Sequence, residues 1–307
     1  MAVLIVLGWT TVACGPRHQT PPPVPAGGPS ARPPALVWQV TRGASVSHLF
    51  GTIHMDLALD DVLGPAGQRL LAASRALYVE MDLSDPERAR ALGASAVHTG
   101  MLPPGESLQR LLSPADWAQL QRLLPGSSPA VLDRLQPWLA ALSAVQAIAA
   151  SGNASARAGK QMGPPMDVAL VMEARARGVP VFELDSMQQQ LDAFTAMPRA
   201  AALVMLRELL ASPAGASREL RGIVDAYGSA DAERQLTTLV DHMARRTPTF
   251  TEYLIFRRTR RWADALASPL GAGGVFVAVG AGHMVGPQGL PALLTRRGFR
   301  VERVFPR

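Results

Sequence analysis

Gly274-Val275-Phe276-Val277-Ala278-Val279 runs directly into Gly280-Ala281-Gly282-His283, and this stretch decides the fold class. A short, uninterrupted apolar run rich in β-branched residues reads as a strand buried on both faces. It ends on a glycine placed three residues before a histidine. The same pattern stands near the other end of the chain, where Ser47–Ile53 leads through Gly51-Thr52-Ile53 to His54. Ala35–Val40 pairs with that segment as a second strand, across a turn at Thr41–Ser45 centred on Arg42-Gly43. Ala76–Met81 (ALYVEM) is a third apolar strand, and Val179–Glu183 and Arg300–Val304 are further strands.

Between these runs the spacing is helical. Val62–Ser74, Asp167–Arg177 (closed by Gly178), Gly222–Arg246, Tyr253–Ser268 and Gly289–Gly298 carry apolar residues three and four apart. Ser113-Pro114-Ala115-Asp116 is a helix start, with serine as the cap and proline at the first position. Most of the chain from Ser84 to Ser212 reads as helix. The expected fold class is α/β (α+β): a mixed β-sheet core built from N- and C-terminal segments, wrapped by helices, with a helical middle region.

The two histidines stand where chemistry is expected. Strand ends of such a sheet open into crevices that bind ligands. Gly51 and Gly280 remove side-chain bulk there, so the backbone can turn or a ligand approach. Two neutral imidazoles from distant strands offer nitrogen ligands to a divalent metal. Glu80 interrupts the apolar strand at Leu77-Tyr78-Val79-Glu80-Met81-Asp82, and alternation puts Tyr78, Glu80 and Asp82 on one face. A buried carboxylate needs a cation or a metal. Two histidines and one carboxylate leave coordination positions open, as catalytic rather than structural sites do. His48 shares a strand face with His54 but sits at the far end, where solvent is expected.

The composition bounds the alternatives. Across 307 residues the hydrophobic fraction is 48% and the charged fraction 18%, an ordinary globular balance. The net charge is +6, but Lys160 is the only lysine and the arginines are scattered. No basic helix or aromatic interleaving marks a nucleic-acid surface, so no nucleic acid is expected as partner. Ala2–Ala13 is an apolar run of signal-peptide size, too short to span a bilayer. It ends at Cys14, the single cysteine. Thr11-Val12-Ala13-Cys14 resembles a bacterial lipobox, with threonine where leucine is usual. No basic residue precedes the apolar core, as expected if the true start lies upstream of Met1. The alternative is an incidental cysteine in a simply cleaved signal. The expected organisation is a signal peptide with lipobox over 1–14, a proline-rich linker over 15–34, and one domain over 35–307. The expected location is the periplasmic side of the bacterial cell envelope, with the membrane reached through a lipid on Cys14.

Several segments together resemble the TraB/GumN/TIKI family: LFGTIHM around His54, LYVEMD around Glu80, and VFVAVGAGHMVGPQGLPALLTRRGFRVERV at the C-terminus. Met166-Asp167, Val181-Phe182-Glu183 and Gln188-Gln189-Gln190-Leu191 are similar to its central motif. Arg258-Thr259-Arg260-Arg261-Trp262 resembles its Arg-Asn-x-x-Trp segment, with Thr259 in place of asparagine. The resemblance runs from about Trp38 to Val304. It implies a fold like that of the erythromycin esterase and ChaN group. Animal TIKI members are described as metal-dependent proteases that use two GxxH motifs and a glutamate. Those features carry over to His54, His283 and Glu80, with Gly51 and Gly280 as spacers. Asp167, Glu183 and Arg258 are implied as supporting or pocket residues, the alternatives being a helix cap for Asp167 and an internal salt bridge for Glu183. The Thr259 exchange puts one polar contact in doubt.

The expected function is a metal-dependent hydrolase, a metalloprotease or peptidase acting on a peptide or protein. The ion would be zinc, manganese or cobalt, held by His54, His283 and Glu80, with Glu80 either a ligand or the general base. The rival reading is a non-enzymatic ligand- or peptide-binding lipoprotein. Haem binding ranks below both, because it wants an exposed tyrosine and the chain has only Tyr78, Tyr227 and Tyr253.

Overall fold

The computed structural model describes residues 36–53, 57–152 and 164–304. The apolar N-terminal run, Cys14, the linker and His54 lie outside the described residues. Six strands form one mixed sheet, in the order β4-β3-β5-β2-β1-β6. β1 (Val37–Arg42) and β2 (Ser45–Thr52) make an antiparallel hairpin, and the turn between them needs the positive φ of 58° that Gly43 supplies. β3 (Ala76–Val79), β4 (Val181–Glu183) and β5 (Val275–Gly280) lie parallel with β2, while β6 (Arg300–Val304) closes the other edge, antiparallel to β1.

The decisive stretch becomes the centre of the sheet. β5 is wedged between β2 and β3, with Thr52 opposite Gly280 and Val79 opposite Ala278. Every residue of β5 is buried. This is the physical reason for its unbroken apolar run: helices cover both faces. The carboxyl ends of β2, β3 and β5 therefore emerge side by side. One core packs this sheet against the helices Leu59–Ala72, Met166–Ala176 and Arg257–Ala272. A second core lies within the helical middle, around Trp117, Trp138, Phe194 and Leu206.

Local signals explain the helix starts. Ser113, Ser128 and Ser212 each cap a helix that has proline in its first turn, and Ser186 closes a full capping box with Gln189. Two expectations change. The helix expected over Gly222–Arg246 is two helices, Pro213–Tyr227 and Ala232–Arg246. The break falls at Gly228-Ser229-Ala230-Asp231, with Gly228 as the C-cap of the first helix; Tyr227 before it is fully buried, its hydroxyl donating to the Gly51 carbonyl at 2.6 Å. The helix expected over Tyr253–Ser268 opens instead as a π-helical turn, Glu252–Phe256, and then runs as Arg257–Ala272. Among the described residues no helix is long and apolar enough to cross a membrane.

Candidate metal centre at the carboxyl edge of the sheet

Glu80 leaves the end of β3 and turns toward β5. One carboxylate oxygen, Oε1, accepts the Gly280 amide at 2.7 Å, and the other accepts the Arg258 guanidinium at 2.6 Å. A side chain on Gly280 would place its Cβ 3.1 Å from that Oε1. The glycine thus leaves room for the close approach of the carboxylate and has no unusual backbone angle. At Gly51 a Cβ would meet Leu36 Cβ at 3.2 Å, so that glycine serves the tight packing of β2 against the chain entering β1.

Past Gly280 a single 3-10 turn, Ala281–His283, carries His283 back under the sheet edge. The imidazole is fully buried and packs against Trp262, with ring centres 4.5 Å apart. Its Nδ1 lies 2.7 Å from the Thr259 hydroxyl. That hydroxyl also reaches the Ile255 carbonyl at 2.7 Å, which can only accept. The one hydroxyl proton therefore goes to Ile255, Thr259 accepts from Nδ1–H, and the lone pair of His283 sits on Nε2. Burial pushes the imidazole pKa down to about 4, more than the nearby Glu80 charge raises it, so the ring is neutral at ordinary pH.

Nε2 is the telling atom. It is buried without a hydrogen-bond partner and stands 4.0 Å from Oε1 of Glu80. An unsatisfied buried acceptor beside a carboxylate invites a donor or a cation. The donor chemistry suits a divalent cation: a neutral, tautomer-fixed imidazole beside a carboxylate. Among the described residues no three His, Cys, Asp or Glu side chains converge as a metal site. Glu80 and His283 make two. β2 ends at Thr52, directly beside Gly280, and His54 follows two residues later, outside the described residues.

Behind the pair lies a hub in which Arg258, expected as a supporting residue, meets Asp185, which sequence reading missed. Asp185 is buried, and its two oxygens accept from Arg258 Nε at 2.7 Å, from Trp262 Nε1 at 2.7 Å and from Arg261. Arg258 is itself buried and spans Asp185 and Glu80, so its guanidinium locks the carboxylate beside His283 to the segment after β4. The Asp185 amide also donates to the Glu80 carbonyl at 2.9 Å. The π-helical turn sets this geometry: it precedes Arg258 and Thr259, and its Leu254 and Ile255 carbonyls accept from their side chains.

The remaining expected residues are placed differently. Glu183 pairs with Arg88 at 2.8 Å and accepts the Asp82 amide at 2.8 Å, the internal salt bridge left open as its alternative. Asp167 stands in the first turn of Met166–Ala176, where a negative charge suits the helix dipole. Tyr78, Glu80 and Asp82 do not share partners: Tyr78 stacks on Phe182, Glu80 binds Arg258, and Asp82 binds Arg175. His48 is half-buried in β2 with its pKa lowered by desolvation, rather than solvated. Thr259, whose exchange put one polar contact in doubt, makes a polar contact of its own to the His283 ring.

Comparison with known proteins gives one match. The model of the TraB/PrgY/gumN family covers residues 36–303. No curated protein and no solved structure matches the chain.

Proposed function

The chain belongs to the TraB/PrgY/gumN family, and on that premise we propose that it is a metal-dependent hydrolase acting on peptide bonds, centred on His283, Glu80 and His54. The observation that carries the reading is the buried, partnerless Nε2 of His283 facing a Glu80 oxygen across 4.0 Å. His283 and Glu80 would hold a divalent ion, with His54 as the third side chain. The chemistry such an ion supplies when bound is Lewis acidity, which polarises a carbonyl and makes water a competent nucleophile near neutral pH.

The residues of the chain do the rest. Thr259 keeps the proton of His283 on Nδ1, so that Nε2 always presents its lone pair. Arg258 and the Gly280 amide hold the Glu80 carboxylate still, each occupying one oxygen. Oε1, which lies 4.0 Å from Nε2 of His283, would serve as a ligand or receive a proton from the attacking water. Burial of His283, Arg258 and Asp185 excludes bulk water from the back of the site. The tyrosines give the haem alternative no support of their own: Tyr227 is buried with its hydroxyl on Gly51, Tyr78 stacks on Phe182, and Tyr253 lies beneath Arg257.

Export and tethering belong to the same proposal. They are supported by the apolar run Ala2–Ala13 and the Thr-Val-Ala-Cys ending at Cys14. A Cys14→Ser variant that stays membrane-bound would remove the lipid anchor from the account. For the reaction, the test is peptide-library cleavage by the purified protein with and without chelator. Cleavage that chelator abolishes and added metal restores is expected, with Glu80→Gln inactive. Cleavage indifferent to chelator would overturn the metal role, and no cleavage of any peptide would favour a binding protein.

A further inference from the structure

A cavity of about 330 Å³ adjoins the centre, and nothing in the site described so far uses it. Its inner end is formed by Ile53, Ile255, Ala281 and Gly282. These residues adjoin the site: Ile53 precedes His54 in the chain, Ile255 accepts from Thr259 through its carbonyl, and Ala281 and Gly282 lead into His283. The walls are apolar and come from four successive helices through Leu209, Ala216, Leu236 and Phe250, all buried. At the solvent side Arg246 joins Glu219 at 2.6 Å and Glu208 at 3.0 Å, side chains that are 39%, 45% and 36% exposed.

We propose that this cavity is the specificity pocket of the neighbouring site, taking one large apolar side chain of the peptide residue beside the bond that is cleaved. The inference rests on the hydrolase reading and adds the substrate class to it. Position supports it: a group filling the cavity ends one or two residues from His283. Size admits a large side chain: about 150 Å³ of apolar cavity accepts benzene, and 330 Å³, within the range of ligand pockets, holds an indole. The charges at the rim are already matched, Arg246 with Glu208 and Glu219 and Arg218 beside Gly215, so the apolar walls are what select the occupant. The rim itself parts easily, because half-exposed ion pairs contribute little.

The experiment is calorimetric titration of the full chain, in chelator, with N-acetyl-L-tryptophanamide, N-acetyl-L-glutaminamide and decanoate. The tryptophan amide is expected to bind about tenfold or more tightly than the glutamine amide, with a negative heat-capacity change, and more tightly than decanoate. Ala216→Phe, which fills the cavity, is expected to weaken it by about tenfold. Leu239→Gln, at a half-buried lining position that tolerates a polar group, weakens it in the same direction and serves if Ala216→Phe fails to fold. Equal binding of the two amides, tighter decanoate binding, or two folded variants with unchanged affinity would overturn the proposal. Binding without cleavage would sink the hydrolase reading alone. Cleavage with no preference for apolar residues beside the broken bond would sink the pocket alone.

Discussion

The hydroxyl of Thr259 stands 2.7 Å from Nδ1 of His283 and donates its own proton to Ile255, so the histidine has a single tautomer. A hydroxyl and an imidazole that are both fully buried leave no water to substitute for the bond. Thr259→Val keeps the shape and removes the acceptor, stranding Nδ1–H. The expected loss is about 1–3 kcal/mol of stability, read from the denaturant midpoint, together with a mixed tautomer population in the ring ¹⁵N shifts. Thr259→Ser should restore both, since it retains the hydroxyl.

Arg258 neutralises two carboxylates from one buried position, Asp185 through Nε and Glu80 through Nη2. Its removal leaves both charges short of a partner, although Asp185 keeps Trp262 and Arg261. Arg258→Met is expected to destabilise by about 3–5 kcal/mol in equilibrium unfolding. Arg258→Lys should recover only part, because one ammonium cannot span two carboxylates as a planar fork does.

The chain folded without metal should lose stability as pH falls. His283 has its pKa lowered from 6.5 to about 4 by burial, so between those values the unfolded chain binds the proton that the folded chain refuses. Stability is therefore full above about 6.5 and lost as pH drops through about 4. The displacement corresponds to about 3 kcal/mol. His48, lowered by burial as well, acts in the same sense. Urea unfolding of wild type and His283→Asn across pH 4 to 7 isolates the His283 share, and parallel pH profiles would contradict it.

Gly280→Ala tests the close approach of Glu80 to β5. The added methyl would stand 3.1 Å from Oε1 and 3.7 Å from the His283 ring. The carboxylate must shift, at an expected cost of about 1–3 kcal/mol for overpacking and a larger loss of hydrolysis than of stability. Gly43→Ala, on the distant hairpin turn, should disturb stability through its positive φ and leave turnover per folded molecule unchanged.

The sheet was legible because its central strand is buried on both faces and its sequence shows that plainly: β5 reads as apolar from Val275 to Val279. His283 and Glu80 were legible as polar residues at the ends of such strands. What escaped was Asp185, on which the hub converges. Asp185 sits one residue before a serine cap, and a lone aspartate there reads as ordinary loop; Glu183, two residues earlier, drew attention and proved to pair with Arg88. The convergence of Arg258, Arg261 and Trp262 on Asp185 spans more than seventy residues of chain and depends on a π-turn that periodicity does not announce.

The most direct test of the account is the metal content of the purified protein, measured by mass spectrometry for wild type, His283→Ala and His54→Ala after each variant is shown to fold. The account predicts about one divalent ion per wild-type chain, lost in both variants and not regained on dialysis against the metal. Undiminished metal in the two variants, or a wild-type chain that takes up none when offered zinc, manganese or cobalt, would contradict it.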